Sequence, residues 1–197
     1  CIDDLSLGTL DNISHHMENP RFTFIKQNLL DTEKLNSVFA EYSFQHVFHM
    51  AANSDIQEGA RNLQVDLDKT FMTTFSTLSC MRNHGVKFII FASSSAIYGE
   101  HTELLHENSG PLLPISFYGA AKLSAEAYIS AFCENFGMRS WIFRFPNVVG
   151  ERSTHGAMYD FIHRLENNSA ELTILGDGTQ NKPYLYVKDL IEGILFA

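Results

Sequence analysis

The chain has 197 residues, 45% apolar and 19% charged, with 14 Lys and Arg against 23 Asp and Glu for a formal net charge of −9. That length and apolar content support one well-buried domain, or one domain and the start of a second, and exclude a disordered, collagen-like or low-complexity chain. An acidic chain without a basic cluster is a poor partner for nucleic acid or anionic membrane, no apolar run approaches the ~20 residues that span a bilayer, and the N-terminus has no secretory pattern.

In chain order, residues 22–25 form a short β-rich run. Asp31 then caps an expected helix with Leu35, Val38 and Phe39 at helical spacing. Residues 46–50 read as a buried strand. A long helix is expected over 63–84, closed by Gly85. Residues 87–92 are nearly all apolar, as a parallel strand buried on both faces should be. A helix follows over 117–136, with Gly137 as its stop, and then a strand over 140–144. After Gly150 come a loop at 152–156, a helix over 157–167, a strand at 172–175, a Gly-Asp-Gly turn, a strand at 184–187 and a last helix with Asp189 near its start. Cys1, Cys80 and Cys133 are odd in number and widely spaced, which points to a reducing, cytoplasmic compartment rather than a disulfide framework.

Strand and helix alternating in this way predict an α/β fold, an open parallel sheet with helices on both faces. Ligands of such sheets bind beyond the carboxyl ends of the strands. The residues there are Asp3, Asp4, Asn28, Met50, Ala51, Ala52, Ser93, Ser94, Ser95, Pro146 and Asn147. Tyr118 and Lys122 stand at i and i+4, on one helix face. An ammonium beside a phenol favours the phenolate and lowers the tyrosine pKa, which suits general acid–base work. Ser94 ends the most apolar strand, where its hydroxyl can hold the group that Tyr118 deprotonates; alone, the three serines equally describe an ordinary strand-end turn. His15, His16 and Glu18 match no common metal spacing and read as a solvated loop; Cys80 and His84 read as a buried thiol near a helix end, so no metal site is expected.

Together these segments resemble the extended short-chain dehydrogenase/reductase family, in its NAD-dependent nucleotide-sugar epimerase/dehydratase branch, of the UDP-glucose 4-epimerase kind. Five further segments carry the resemblance: 2–8, 47–52 with its His-x-Ala-Ala strand end, 144–150 with Arg-x-x-Asn-x-x-Gly, 175–180 and 186–189. It covers essentially the whole chain but begins at the family's second strand. The Gly-rich phosphate loop and the C-terminal portion therefore lie outside these residues. Lys182-Pro183 stands where many members have Arg-Asp, and Met72-Thr73-Thr74 where an Asn-x-x-Gly-Thr segment is usual.

The resemblance implies a Rossmann-like doubly wound sheet lacking its first βα unit, with residues 1–150 binding NAD and 151–197 beginning a smaller substrate-binding lobe. It implies Ser94, Tyr118 and Lys122 as catalytic residues. The cofactor side would comprise Asp3, Asn28, Leu29, Met50, Ala51, Ala52, Tyr118, Lys122 and Pro146. The substrate, a nucleoside-diphosphate sugar, would meet Ser94, Ser95, Asn147 and Lys182. A carboxylate at Asp3 accepts from ribose hydroxyls and repels a 2′-phosphate, which favours NAD over NADP. Dehydratases of this family carry acidic residues where Ser95 and Ala96 stand, so epimerisation through a transient keto sugar and reversible hydride transfer is expected. A nucleotide-sugar reductase or dehydrogenase, and a non-catalytic fragment, remain as alternatives. The helices near 63–84 and 118–136 are apolar on more than one face, consistent with the homodimer that family members build from them.

Overall fold

The computed structural model describes residues 1–154, 156–174 and 176–197. His155, in the expected loop, and Leu175, in the expected strand 172–175 and the segment 175–180, lie outside the described residues. Two compact units emerge, Cys1–Arg144 and Phe145–Ala197.

In the first unit, β1 (Ile2–Asp3) pairs in parallel with β2 (Ile25–Lys26). The strand expected at 22–25 is thus displaced and only two residues long, because β1 offers only Ile2 and Asp3 as ladder partners. Helix α1 (Thr32–Glu41) begins where Asp31 accepts the Lys34 N–H at 3.2 Å, and its Leu35, Val38 and Phe39 are buried. Strand β3 (His46–His49) pairs in parallel with β4 (Phe88–Ser94), and β5 (Arg139–Phe145) flanks β4 on its other side.

As the central strand of three, β4 has Ile89, Ile90, Phe91 and Ser93 buried and none of its residues exposed, in keeping with its unbroken apolar run. The sequence reading of 46–50 as buried is corrected: Phe48 is 55% and Met50 47% exposed. Among the described residues β3 pairs only with β4, and a strand with one neighbour leaves side chains open to solvent.

The helix expected over 63–84 runs without interruption over 63–83, with a π-helical stretch inside it. A short α2 (Ile56–Arg61), capped by Asp55, precedes α3 (Leu63–Asp66), a π-helical turn (Leu67–Met72) and α4 (Thr73–Asn83). Buried polar ties hold the π-helical stretch to the loop after β3: the Thr70 hydroxyl accepts the Asn53 backbone N–H at 3.0 Å, and Asp66 accepts from the Asn53 side chain at 2.9 Å. Helix α5 (Phe117–Phe136) starts on the Ser116 cap and ends at Gly137, whose φ of 62° is the left-handed stop a glycine adopts without strain. Leu35 and Phe39 of α1, Leu78 and Met81 of α4, Ile89 and Phe91 of β4, and Ala125 and Ile129 of α5 form one core.

In the second unit, β6 (Asn147–Val149) pairs in parallel with β7 (Tyr184–Tyr186), and this ladder draws residues 145–150 into the C-terminal unit. Helices α6 (Ala157–Asn167) and α7 (Val187–Phe196) form as the sequence predicts, with Asp189 in the first turn of α7. Residues 172–174 are not a strand. Parallel strands linked through helices give a Rossmann-like fold.

Candidate active site

The site grows from the junction of β4 and α5. Ser94 ends β4, its side chain accepting the Ala96 N–H at 3.2 Å, and a 3-10 turn (Ser95–Tyr98) follows. The start of α5 packs directly on this turn. A Cβ on Gly119 would lie 2.5 Å from the Ala96 carbonyl oxygen, so glycine at that position lets Tyr118 reach Ser94. Tyr118 is half-buried, with the Ser94 hydroxyl among the groups that act on its phenol. Lys122, one turn on, is 2% exposed; its Nζ donates to the Ala92 carbonyl at 2.5 Å and lies 5.8 Å from the Tyr118 ring centroid.

The electrostatics differ from the sequence expectation. Burial pushes the Tyr118 phenol above its ordinary pKa; the Ser94 hydroxyl opposes that rise, and the charge of Asp66 adds to it. Lys122 is itself lowered to about 8 by burial, with the nearby Glu126 carboxylate opposing the fall. The expected downward shift of the phenol by Lys122 is therefore corrected to a net rise: loss of solvent, with the Asp66 charge, outweighs the help of the Ser94 hydroxyl.

Beneath these groups lies a polar network that motif reading missed. Glu126 is buried on the face of α5 that carries Lys122. It accepts from Ser93 Oγ at 2.5 Å and from Arg144 Nε and Nη2 at 3.1, 3.2 and 2.8 Å. Arg144 also donates to the Tyr98 hydroxyl at 2.9 Å and the Glu107 carbonyl at 2.8 Å. The signal was available: Glu126 continues the four-residue count from Tyr118 through Lys122. Asp66 and Asn53 were also missed. Asp66 is buried with Oδ2 lacking a partner, and burial raises its pKa. His49, buried at the end of β3, has Nε2 3.0 Å from Thr74 Oγ1.

The other sequence candidates sit at strand ends. Asp3 is exposed beyond β1 and accepts the Leu5 N–H at 2.6 Å. Asn28, exposed after β2, accepts the Leu30 N–H at 2.9 Å, while Leu29 packs against the core. Met50 is exposed, and Ala51 and Ala52 are half-buried, beyond β3. Ser95 is half-buried in the turn after Ser94. The fold thus brings Ser94, Tyr118 and Lys122 together.

In the second unit, Pro146 joins β5 to β6, and the Asn147 side chain donates to the Pro183 carbonyl at 3.3 Å. Lys182 is exposed beside it in sequence. Glu151 accepts from the Tyr186 hydroxyl at 2.9 Å and pairs with Lys188 at 3.1 Å, and these contacts, together with backbone hydrogen bonding, hold its pKa at about 2.

The model of the NAD dependent epimerase/dehydratase family matches residues 5–197. UDP-glucuronate 4-epimerase of Thermodesulfobacterium geofontis is 27% identical over 179 residues, covering 90% of this chain and 55% of that protein. The structure of UDP-glucose 4-epimerase of Thermotoga maritima with UDP-glucose superposes with a TM-score of 0.88 at 30% identity, covering 98% of this chain and 63% of that one. UDP-glucuronic acid 4-epimerase of Bacillus cereus, in complex with UDP-glucuronic acid and NAD, gives a TM-score of 0.87 at 28% identity, covering 98% and 62%. The chain spans less than two thirds of the length of the curated relatives it matches.

Proposed function

The chain belongs to the NAD-dependent epimerase/dehydratase family, and from that membership we propose that the protein epimerises a nucleoside-diphosphate sugar. The observation that carries this reading is the cluster at the β4–α5 junction: the Tyr118 phenol with the Ser94 hydroxyl acting on it, and the buried Lys122 one helical turn on, its Nζ 5.8 Å from the Tyr118 ring centroid. Tyr118 takes the proton from a sugar hydroxyl and returns it, Ser94 holds that hydroxyl in line, and the Lys122 charge favours the phenolate while the proton is away. Ser95 and Ala96, in the turn after Ser94, carry no group that moves a proton at neutral pH, which favours epimerisation over loss of water.

NAD, when bound, supplies the hydride acceptor and donor for the sugar carbon. Two features of this chain fit it. Asp3 presents an exposed carboxylate beyond β1, suited to ribose hydroxyls, and Gln27, just beyond β2, holds a buried side-chain N–H group with no partner. We assign Asn28, Leu29, Met50, Ala51, Ala52 and Pro146 to the cofactor side as well, and Ser95, Asn147 and Lys182 to the substrate. Residues 1–150 are assigned to NAD binding and 151–197 to the start of the substrate-binding region.

We further infer a homodimer built on α4 and α5, and a cytoplasmic location. Among the described residues, no helix is long and apolar enough to cross a membrane.

Tyr118→Phe tests the reading. It keeps the ring and removes the proton-transferring oxygen, so turnover of UDP-sugars by the full-length protein should fall by about 10²–10⁴ with the circular dichroism spectrum unchanged. Turnover like that of the wild type would refute the assignment.

A further inference from the structure

Two successive turns of α5 grip two successive residues of β4. Lys122 reaches the Ala92 carbonyl, and Glu126 receives the Ser93 hydroxyl. The next residue of β4 is Ser94. Glu126 therefore lies one turn from Lys122, fixed from three sides by α5, β4 and the two-pronged Arg144 of β5. A carboxylate so constrained is more than a tie between helix and strand, because it is the anion one turn from a buried cation.

We propose that Glu126 is a positioning residue that keeps Lys122 positively charged inside the protein, although it shares its carboxylate with Arg144. The groups around Lys122 are Tyr118 and Glu126 on its own helix and His49 from β3; Asp66 of α3 acts on Tyr118, and Arg144 of β5, bonded to Tyr98, pairs with Glu126. His49 is neutral at working pH and adds no charge.

With its pKa at about 8, Lys122 is charged in roughly nine of ten molecules at pH 7. A fall of about one further pH unit would leave only about half charged. Glu126 opposes that fall. Arg144 is held firmly charged by the same carboxylate, so the two cations compete for one anion.

The test is a pH titration of the lysine ¹³Cε resonances in the full-length protein without substrate, with the Lys122 signal identified by its loss in Lys122→Met. The wild-type midpoint should lie near 8. Glu126→Gln should move it down by about one pH unit or more, and Arg144→Gln, which leaves the carboxylate to Lys122 alone, should move it up. A purely structural tie would lower the melting temperature of both variants and leave the midpoint in place, and that result overturns the proposal. If Glu126→Gln does not fold, Arg144→Gln decides alone: a midpoint that stays or falls overturns it. The importance of Lys122 rests on the proposed function, but the titration involves neither substrate nor turnover. It can therefore fail while the Tyr118→Phe test succeeds, and the reverse.

Discussion

His49 sits at the end of β3 within reach of the Lys122 charge, stacked 5.9 Å from Phe91 and bonded to Thr74. Burial first, and then the Lys122 charge, lower its pKa from 6.5 to about 3. The sign of the pH effect follows. Between those values the unfolded chain binds a proton that the folded chain refuses, so the contribution is complete above pH 6.5 and is lost as pH falls towards 3. Melting temperatures at pH 7 and pH 5 should therefore differ more in the wild type than in His49→Gln, and equal differences would mean that His49 is not held neutral by the fold. At this scale the sequence reveals residue type and spacing but not burial. Tyr118, Lys122 and Ser94 were legible because a helix face and a strand end bring them together. The direction of the Tyr118 shift was not, because desolvation depends on what packs around the phenol. Nor was Asp66, whose unpartnered oxygen is buried against Gly59 of the preceding helix.

Helices α4 and α5, with the π-helical turn before α4, present an aromatic face. Phe71 and Phe75 stand edge-on to Tyr128, with ring centroids 5.0 and 5.9 Å apart, and Phe75 stands edge-on to Phe132 at 6.4 Å. Phe75, Tyr128 and Phe136 stay substantially exposed, although their neighbours on the same helices fill the core. Leu63, Leu67, Phe71, Phe117 and Tyr128 line a groove of about 290 Å³ beside them. A two-fold contact would bury this face on both copies at once. Light scattering at micromolar concentration should give a dimer for the full-length protein and a monomer for Tyr128→Glu; a monomeric wild type would mean that another segment covers the face. Element boundaries were legible where local signals agree, as in α1 behind its Asp31 cap and α5 between Ser116 and Gly137. The helix at 63–84 was read as continuous because its apolar pattern is continuous. Its π-helical stretch was not legible, and Asn53, a residue outside the helix, bonds to both Asp66 and Thr70 there.

Across the whole molecule, the parallel strands of the first unit form two separate sheets, β1–β2 and β3–β4–β5. The resemblance implies a further strand between those ending at Asp3 and Met50, and among the described residues β1–β2 and β3–β4–β5 share no ladder. The same division bears on NAD. The pyrophosphate of a dinucleotide normally rests on a helix N-terminus against glycine N–H groups. Residues 1–197 contain no Gly-x-x-Gly-x-x-Gly segment to form that cradle. Asp3 lies in one sheet, and Ser94 ends a strand of the other, so the groups assigned to the two ends of the cofactor are not joined by a hydrogen-bonded ladder. Residues 1–197 by themselves should therefore bind NAD only weakly, with a Kd above about 1 mM, corresponding to less than about 4 kcal/mol of binding free energy. Calorimetric titration of this chain with NAD measures it directly. Micromolar affinity would show that Asp3, Gln27, Tyr118 and Lys122 hold the dinucleotide without a phosphate cradle, and the cofactor assignment would then have to be rebuilt around those residues alone.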